Sequence, residues 1–180
     1  MSNPKAFDLP GDLVPRVVTI GGVSKAHLLA QLDAAQVKLN EAAATLFASE
    51  LFTVEDTSRT MVIVEVSVEQ LGFPQGTTLL ELFERALSLG LALVPLELGP
   101  HLRLQYHDQP EGYWGQPVTE HQAPPGSVQI AAAPLSEDDG FPKGFYLRRI
   151  KGEMWLRGYW ADPTHPYQPG DRFVFSSPPG

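Results

Sequence analysis

Phe145-Tyr-Leu-Arg-Arg-Ile-Lys-Gly-Glu-Met-Trp-Leu-Arg-Gly-Tyr-Trp160 reads as two strands joined by a two-residue turn. Lys151-Gly152 suits the tight hairpin turn in which both central residues take positive φ. Such a turn sets the register. Ile150 stands opposite Glu153, Arg149 opposite Met154, Arg148 opposite Trp155, Leu147 opposite Leu156 and Tyr146 opposite Arg157. Side chains then alternate between two faces. Phe145, Leu147, Met154 and Leu156, joined by Trp160, make an apolar face. Tyr146, Arg148, Trp155, Arg157 and Tyr159 make the other. There Arg148 meets Trp155 and Tyr146 meets Arg157, and each cation–π pair contributes about 0.5–1 kcal/mol when exposed. The pairs either hold the hairpin's own twist or greet a partner, and both roles fit the residues.

Outward from the hairpin the C-terminal half is punctuated by proline: 13 of 17 prolines lie at Pro95 or later. Short strands are expected near 101–106, 127–133 and 172–176, beside the hairpin strands 144–150 and 153–160. The segment 107–126 is a long loop, and its Tyr113-Trp114, with His165 and Tyr167 further on, supplies aromatics for a lid or for packing back onto the domain. The N-terminal half differs. Residues 1–23 read as an extended arm holding the apolar piece Val17–Ile20. Ser24 caps a helix to about Ala35, and Asn40 caps a second to about Ser49. That pair resembles a helix-turn-helix in outline, but the second helix offers no Lys or Arg for phosphate. Met61–Val68 is the strongest strand, with Val62, Val64, Val66 and Val68 on one face. Thr78 and Glu81 form a capping box, and Gly90 suits the end of that helix. Leu91–Val94 reads as a strand, which would complete a βαβ unit. The whole is an α+β domain spanning 1–180: two or three helices on a mixed, mostly antiparallel sheet. Residues 24–90 are mainly helical with one strand, and 91–180 mainly β, ending in a meander.

The bulk composition narrows the function. Apolar residues make up 43% of the 180, enough for a core. A net charge of −8 opposes general attraction to nucleic acid and to anionic membranes. The absence of cysteine removes disulfides and thiolate chemistry, which fits a cytoplasmic location. No stretch has the length and apolarity of a signal peptide or a membrane span. There is no phosphate loop, dinucleotide fingerprint, zinc helix or nucleophile elbow, so no cofactor and no metal are expected.

Two constellations remain. If 101–107 is a strand, His101, Arg103, Gln105 and His107 share a face. Two imidazoles and a guanidinium there suit an anion site, or a small-molecule enzyme such as a hydrolase with His101 or His107 as base and Arg103 as clamp. The hairpin's Tyr146, Arg148, Trp155 and Arg157 suit a non-enzymatic binding module whose partner is a protein or a small anionic ligand. The wording of Leu91–Tyr106, with Met61–Phe73 and Trp155–Phe175, resembles a small family of bacterial proteins with no established activity. That resemblance implies a soluble bacterial domain and carries over no catalytic residue or cofactor.

Overall fold

The computed structural model describes residues 11–112, 124–161 and 164–177. In chain order these are strand β1 (Arg16–Ile20), helix α1 (Lys25–Ala34), β2 (Lys38–Leu39), α2 (Glu41–Ala48), β3 (Arg59–Ser67), β4 (Thr77–Thr78), α3 (Leu79–Ser88), α4 (Leu98–Gln105), β5 (Val128–Ile130), β6 (Gly144–Ile150), β7 (Glu153–Tyr159), β8 (Pro166–Tyr167) and β9 (Arg172–Ser176). Seven strands make one mixed sheet in the order β1-β3-β9-β5-β6-β7-β2, and β4 pairs with β8 in a separate ribbon. The fold is α+β, with four helices among the described residues.

The local signals act as their chemistry requires. Ser24, Asn40 and Thr78 each accept the backbone N–H three residues on, starting α1, α2 and α3. Gly90, at φ +80°, ends α3, and Leu91 N–H reaches back to Ala86 O at 3.0 Å. β3 is buried on both faces. Ile63 enters one core with α1, α2 and α4, whereas Val64, Val66 and Val68 enter a second core with Leu82 and Ala86 of α3. Val62 is the exception on that face and stays partly exposed.

Three expectations change. The arm 1–23 contributes β1, an edge strand antiparallel to β3. Leu91–Val94 is not a strand: Ala92 makes one antiparallel bridge to Ser176, so no βαβ unit forms. The third change bears on function. Residues 101–105 lie on helix α4, not on a strand. Leu-Arg-Leu-Gln-Tyr alternates like a strand, yet Leu98, Leu102 and Tyr106 repeat every four residues, and all three are buried. Pro100 does not break the helix because it falls in the first turn, where the N–H has no intrahelical acceptor. Gly99 permits the close approach, since a Cβ there would stand 2.8 Å from the Phe145 ring.

α4 also blunts the open edge of β1. Gln105 accepts from Thr19 N–H at 3.0 Å and donates to Thr19 O at 2.7 Å, standing in for a neighbouring strand. One turn earlier His101 Nε2 accepts from Gly21 N–H at 3.2 Å.

Candidate functional site

The helix separates the residues that a strand would have aligned. His101 and Arg103 are two positions apart on α4, so they leave it on roughly opposite sides. His101 is buried against the Gly21 turn, with Glu97 Oε2 3.6 Å from its Nε2. Burial lowers the imidazole's pKa from its ordinary value, in keeping with a neutral ring that accepts a hydrogen bond. Burial also raises the carboxyl pKa of Glu97, although its Oε1 accepts from Glu55 N–H at 3.0 Å.

Arg103 is 1% exposed and points toward the β6–β7 hairpin. Its guanidinium donates to Tyr106 O and Gln109 Oε1, both at 2.6 Å, and more weakly to Arg148 O and Trp155 O at 3.5 Å. Among the described residues no carboxylate pairs with it, and burial brings its pKa down to about 10. Gln109 completes the anchor by donating to Gly126 O and Leu147 O. Arg103 therefore fastens Gln109, just past the end of α4, to the sheet. His107 is exposed at the end of α4, away from both.

The hairpin keeps the expected register, with Lys151 at φ +52° and Gly152 at φ +73° in the turn. Its second face is not an open surface. Tyr146 is 7% exposed and Arg148 3%, while Trp155 and Arg157 are half-buried. Arg157 takes both aromatic partners: its guanidinium carbon lies 5.1 Å from the Trp155 ring centre and 5.9 Å from that of Tyr146.

Here the second face of the sheet runs beyond its helix. α3 covers Phe173 and Phe175 of β9 through Phe83, and the face continues across β5, β6 and β7. Register sets one row of side chains along it: Phe173 opposite Gln129, Gln129 opposite Tyr146, Tyr146 opposite Arg157. Over the Gln129–Tyr146–Arg157 part of that row lies a cleft of about 240 Å³, walled by Asn40, Tyr159, Trp160, His165 and Tyr167. Asn40 holds one wall. Its amide donates to Gly158 O at 3.0 Å and accepts from Gly158 N–H and Ala43 N–H at 2.9 Å, joining the start of α2 to β7. Gly158 makes that contact possible, because a Cβ would sit 2.7 Å from the Ala42 carbonyl carbon.

The cleft is lopsided in charge. Arg157 is its only side chain of fixed charge among the described lining residues, and no described carboxylate lies within ion-pair distance of it. The Arg157 Nε is buried with no hydrogen-bond partner. Burial pushes the Tyr159 phenol up to about 12 and raises that of Tyr146, against the pull of Arg157 and Arg148. Both phenols thus stay protonated at neutral pH, as donors. Gln129 gives its Nε2 to Ser127 Oγ at 3.2 Å, and among the described residues no hydrogen bond is donated to its Oε1.

A second cleft, of about 410 Å³, lies between the start of β1 and α4. Three of its four charged side chains are already engaged. Arg172 Nε binds Glu65 Oε1 at 2.6 Å, Tyr106 donates to Glu65 Oε2 at 3.1 Å, and Arg16 stacks on Tyr106 while pairing with Asp108 at 3.2 Å.

Sequence reasoning found Tyr146 and Arg157 but missed Gln129 and Asn40, which enter through strand register and a helix cap. It named His165 and Tyr167 only as loop aromatics. Tyr113 and Trp114 lie outside the described residues. No family model matches the chain, and no curated protein or solved structure is significantly similar to it.

Proposed function

We propose that the chain is a non-enzymatic binding module of the bacterial cytoplasm that takes a small anionic ligand into the cleft over Gln129, Tyr146 and Arg157. One observation carries this: a half-buried guanidinium faces the cleft with aromatic neighbours and, among the described residues, no carboxylate to neutralise it. A desolvated cation without a counter-charge is costly, and an incoming anion relieves that cost. The burial of Tyr146 and Arg148 favours a small ligand over a flat protein partner, which would need a broad open surface.

The test is an NMR screen of ¹⁵N-labelled protein against a fragment set of mixed charge. Anionic members are expected to move the Gly158, Tyr159 and Gln129 backbone signals. Arg157→Gln should keep the fold and weaken those responses about ten- to a hundredfold, the range of a charge-assisted hydrogen bond of roughly 1.5–3 kcal/mol. A cleft silent to every fragment, or anions bound equally well by the variant, would reject the reading.

A further inference from the structure

The cleft floor carries more information than its charge. Gln129, Tyr146 and Arg157 sit on three neighbouring strands in direct register, so an acceptor, a ring and a cation follow one another in a line. Two strand spacings separate the ends, roughly 10 Å between the Gln129 and Arg157 backbones. The guanidinium provides charged donors at one end. At the other, the Gln129 carbonyl oxygen has no donor among the described residues, and the amide is turned with Nε2 on Ser127 Oγ at 3.2 Å. Between them lies the Tyr146 ring, with Tyr159 6.5 Å away and tilted by 49°. His165 packs edge-on against Tyr167 at 4.9 Å in the wall. Flat surroundings of this kind favour a flat guest, since aromatic rings attract one another in offset or edge-to-face contact. Size limits the guest as well. A cleft of about 240 Å³ has the room of about eight waters, hence a ligand of about ten non-hydrogen atoms.

Building on the anion-binding reading of this cleft, we infer that its ligand is a single-ring aromatic carboxylate with a hydrogen-bond donor across the ring, of the hydroxybenzoate class. The carboxylate pairs with Arg157, the ring lies beside Tyr146 and Tyr159, and the distal hydroxyl donates to Gln129 Oε1. The acceptor also gives selectivity. A site whose acceptor receives a hydroxyl binds the analogue without one more weakly, since that hydrogen bond is then lost.

Calorimetric titration of the wild-type protein with four probes tests this: 4-hydroxybenzoate, benzoate, 4-hydroxybenzamide and inorganic phosphate. The expected order places 4-hydroxybenzoate at least tenfold tighter than benzoate and than 4-hydroxybenzamide, with phosphate weakest. Gln129→Met should abolish the difference, so that 4-hydroxybenzoate and benzoate bind the variant with equal affinity. The wild-type order stands as a test even if that variant folds poorly. Phosphate bound more tightly than either acid would overturn the aromatic assignment while leaving the anion site intact. 4-Hydroxybenzamide binding as tightly as 4-hydroxybenzoate would overturn the role of Arg157 and the anion reading with it. Equal affinities for benzoate and 4-hydroxybenzoate would remove Gln129 as the distal reader.

Discussion

At the scale of single residues, two arginines of similar appearance in the sequence have opposite situations. Arg103 gives its two terminal nitrogens to carbonyl oxygens and the Gln109 amide. Arg157 stacks on the Trp155 and Tyr146 rings instead, and its Nε, like that of Arg103, is buried without a hydrogen-bond partner among the described residues. Arg103→Ala should therefore act on folding. It leaves Tyr106 O and Gln109 Oε1 without a strong donor inside the protein and opens a cavity, a loss of about 3–5 kcal/mol. Urea denaturation measures it, and Arg103→Lys should recover only part because one ammonium cannot reproduce the guanidinium fork. If Arg103→Ala unfolds within about 1 kcal/mol of wild type, the anchor is not structural and an anion role for Arg103 returns.

Among elements, the hairpin was readable because every determinant is local. Turn chemistry fixes register, and register fixes faces. α4 was not, because its pattern fits two periods at once: Leu102, Leu104 and Tyr106 alternate, while Leu98, Leu102 and Tyr106 step by four. The choice was made by tertiary packing, namely Phe145 over Gly99 and Gln105 against the edge of β1. Gln129 was missed for a related reason. Nothing near it in the chain says that it stands beside Tyr146, a fact that exists only once β5 pairs with β6. Asn40 was legible as a cap but not as a clamp on Gly158, which lies 118 residues away. The clamp makes the residue testable at this scale. Asn40→Asp keeps the helix cap and the acceptor for Gly158 N–H but loses the donor to Gly158 O and adds a negative charge to the cleft wall. Stability should fall by about 1 kcal/mol, the net value of one hydrogen bond. Binding of an anionic probe should weaken more than Asn40→Ser weakens it, because serine caps the helix without the charge. Equal affinities in the two variants would show that the wall does not bear on the ligand's charge.

Across the whole molecule, buried titratable groups pull stability in opposing directions. His101 has a folded pKa below its ordinary 6.5, so the unfolded chain binds its proton more readily. Its contribution is present above pH 6.5 and is lost as pH falls through that value. Glu97 is raised above 4.5 by burial, and Asp171, also buried, is raised from 3.8 to about 6. Here the folded state holds the proton better. Their contribution is present below the unfolded values and is lost as pH rises through the folded ones. Below that window the carboxylates of Glu55, Glu81 and Glu153, each lowered first by a side-chain hydrogen bond, lose their stabilisation as they protonate. Between pH 4.5 and 6.5 the imidazole term rises with pH while the two buried acids fall, and the wild-type profile is expected to be shallow. Single variants should expose the hidden slopes. His101→Gln keeps an acceptor for Gly21 N–H but cannot titrate, so stability should decline from pH 4.5 to 6.5. Glu97→Gln keeps an acceptor for Glu55 N–H and removes one falling term, so its profile should rise relative to wild type over the same range. Urea midpoints at half-unit pH intervals would read both. A His101→Gln profile parallel to that of the wild type would mean that the imidazole is not held neutral against the glycine turn, and that α4 meets β1 by some contact other than the one from Gly21.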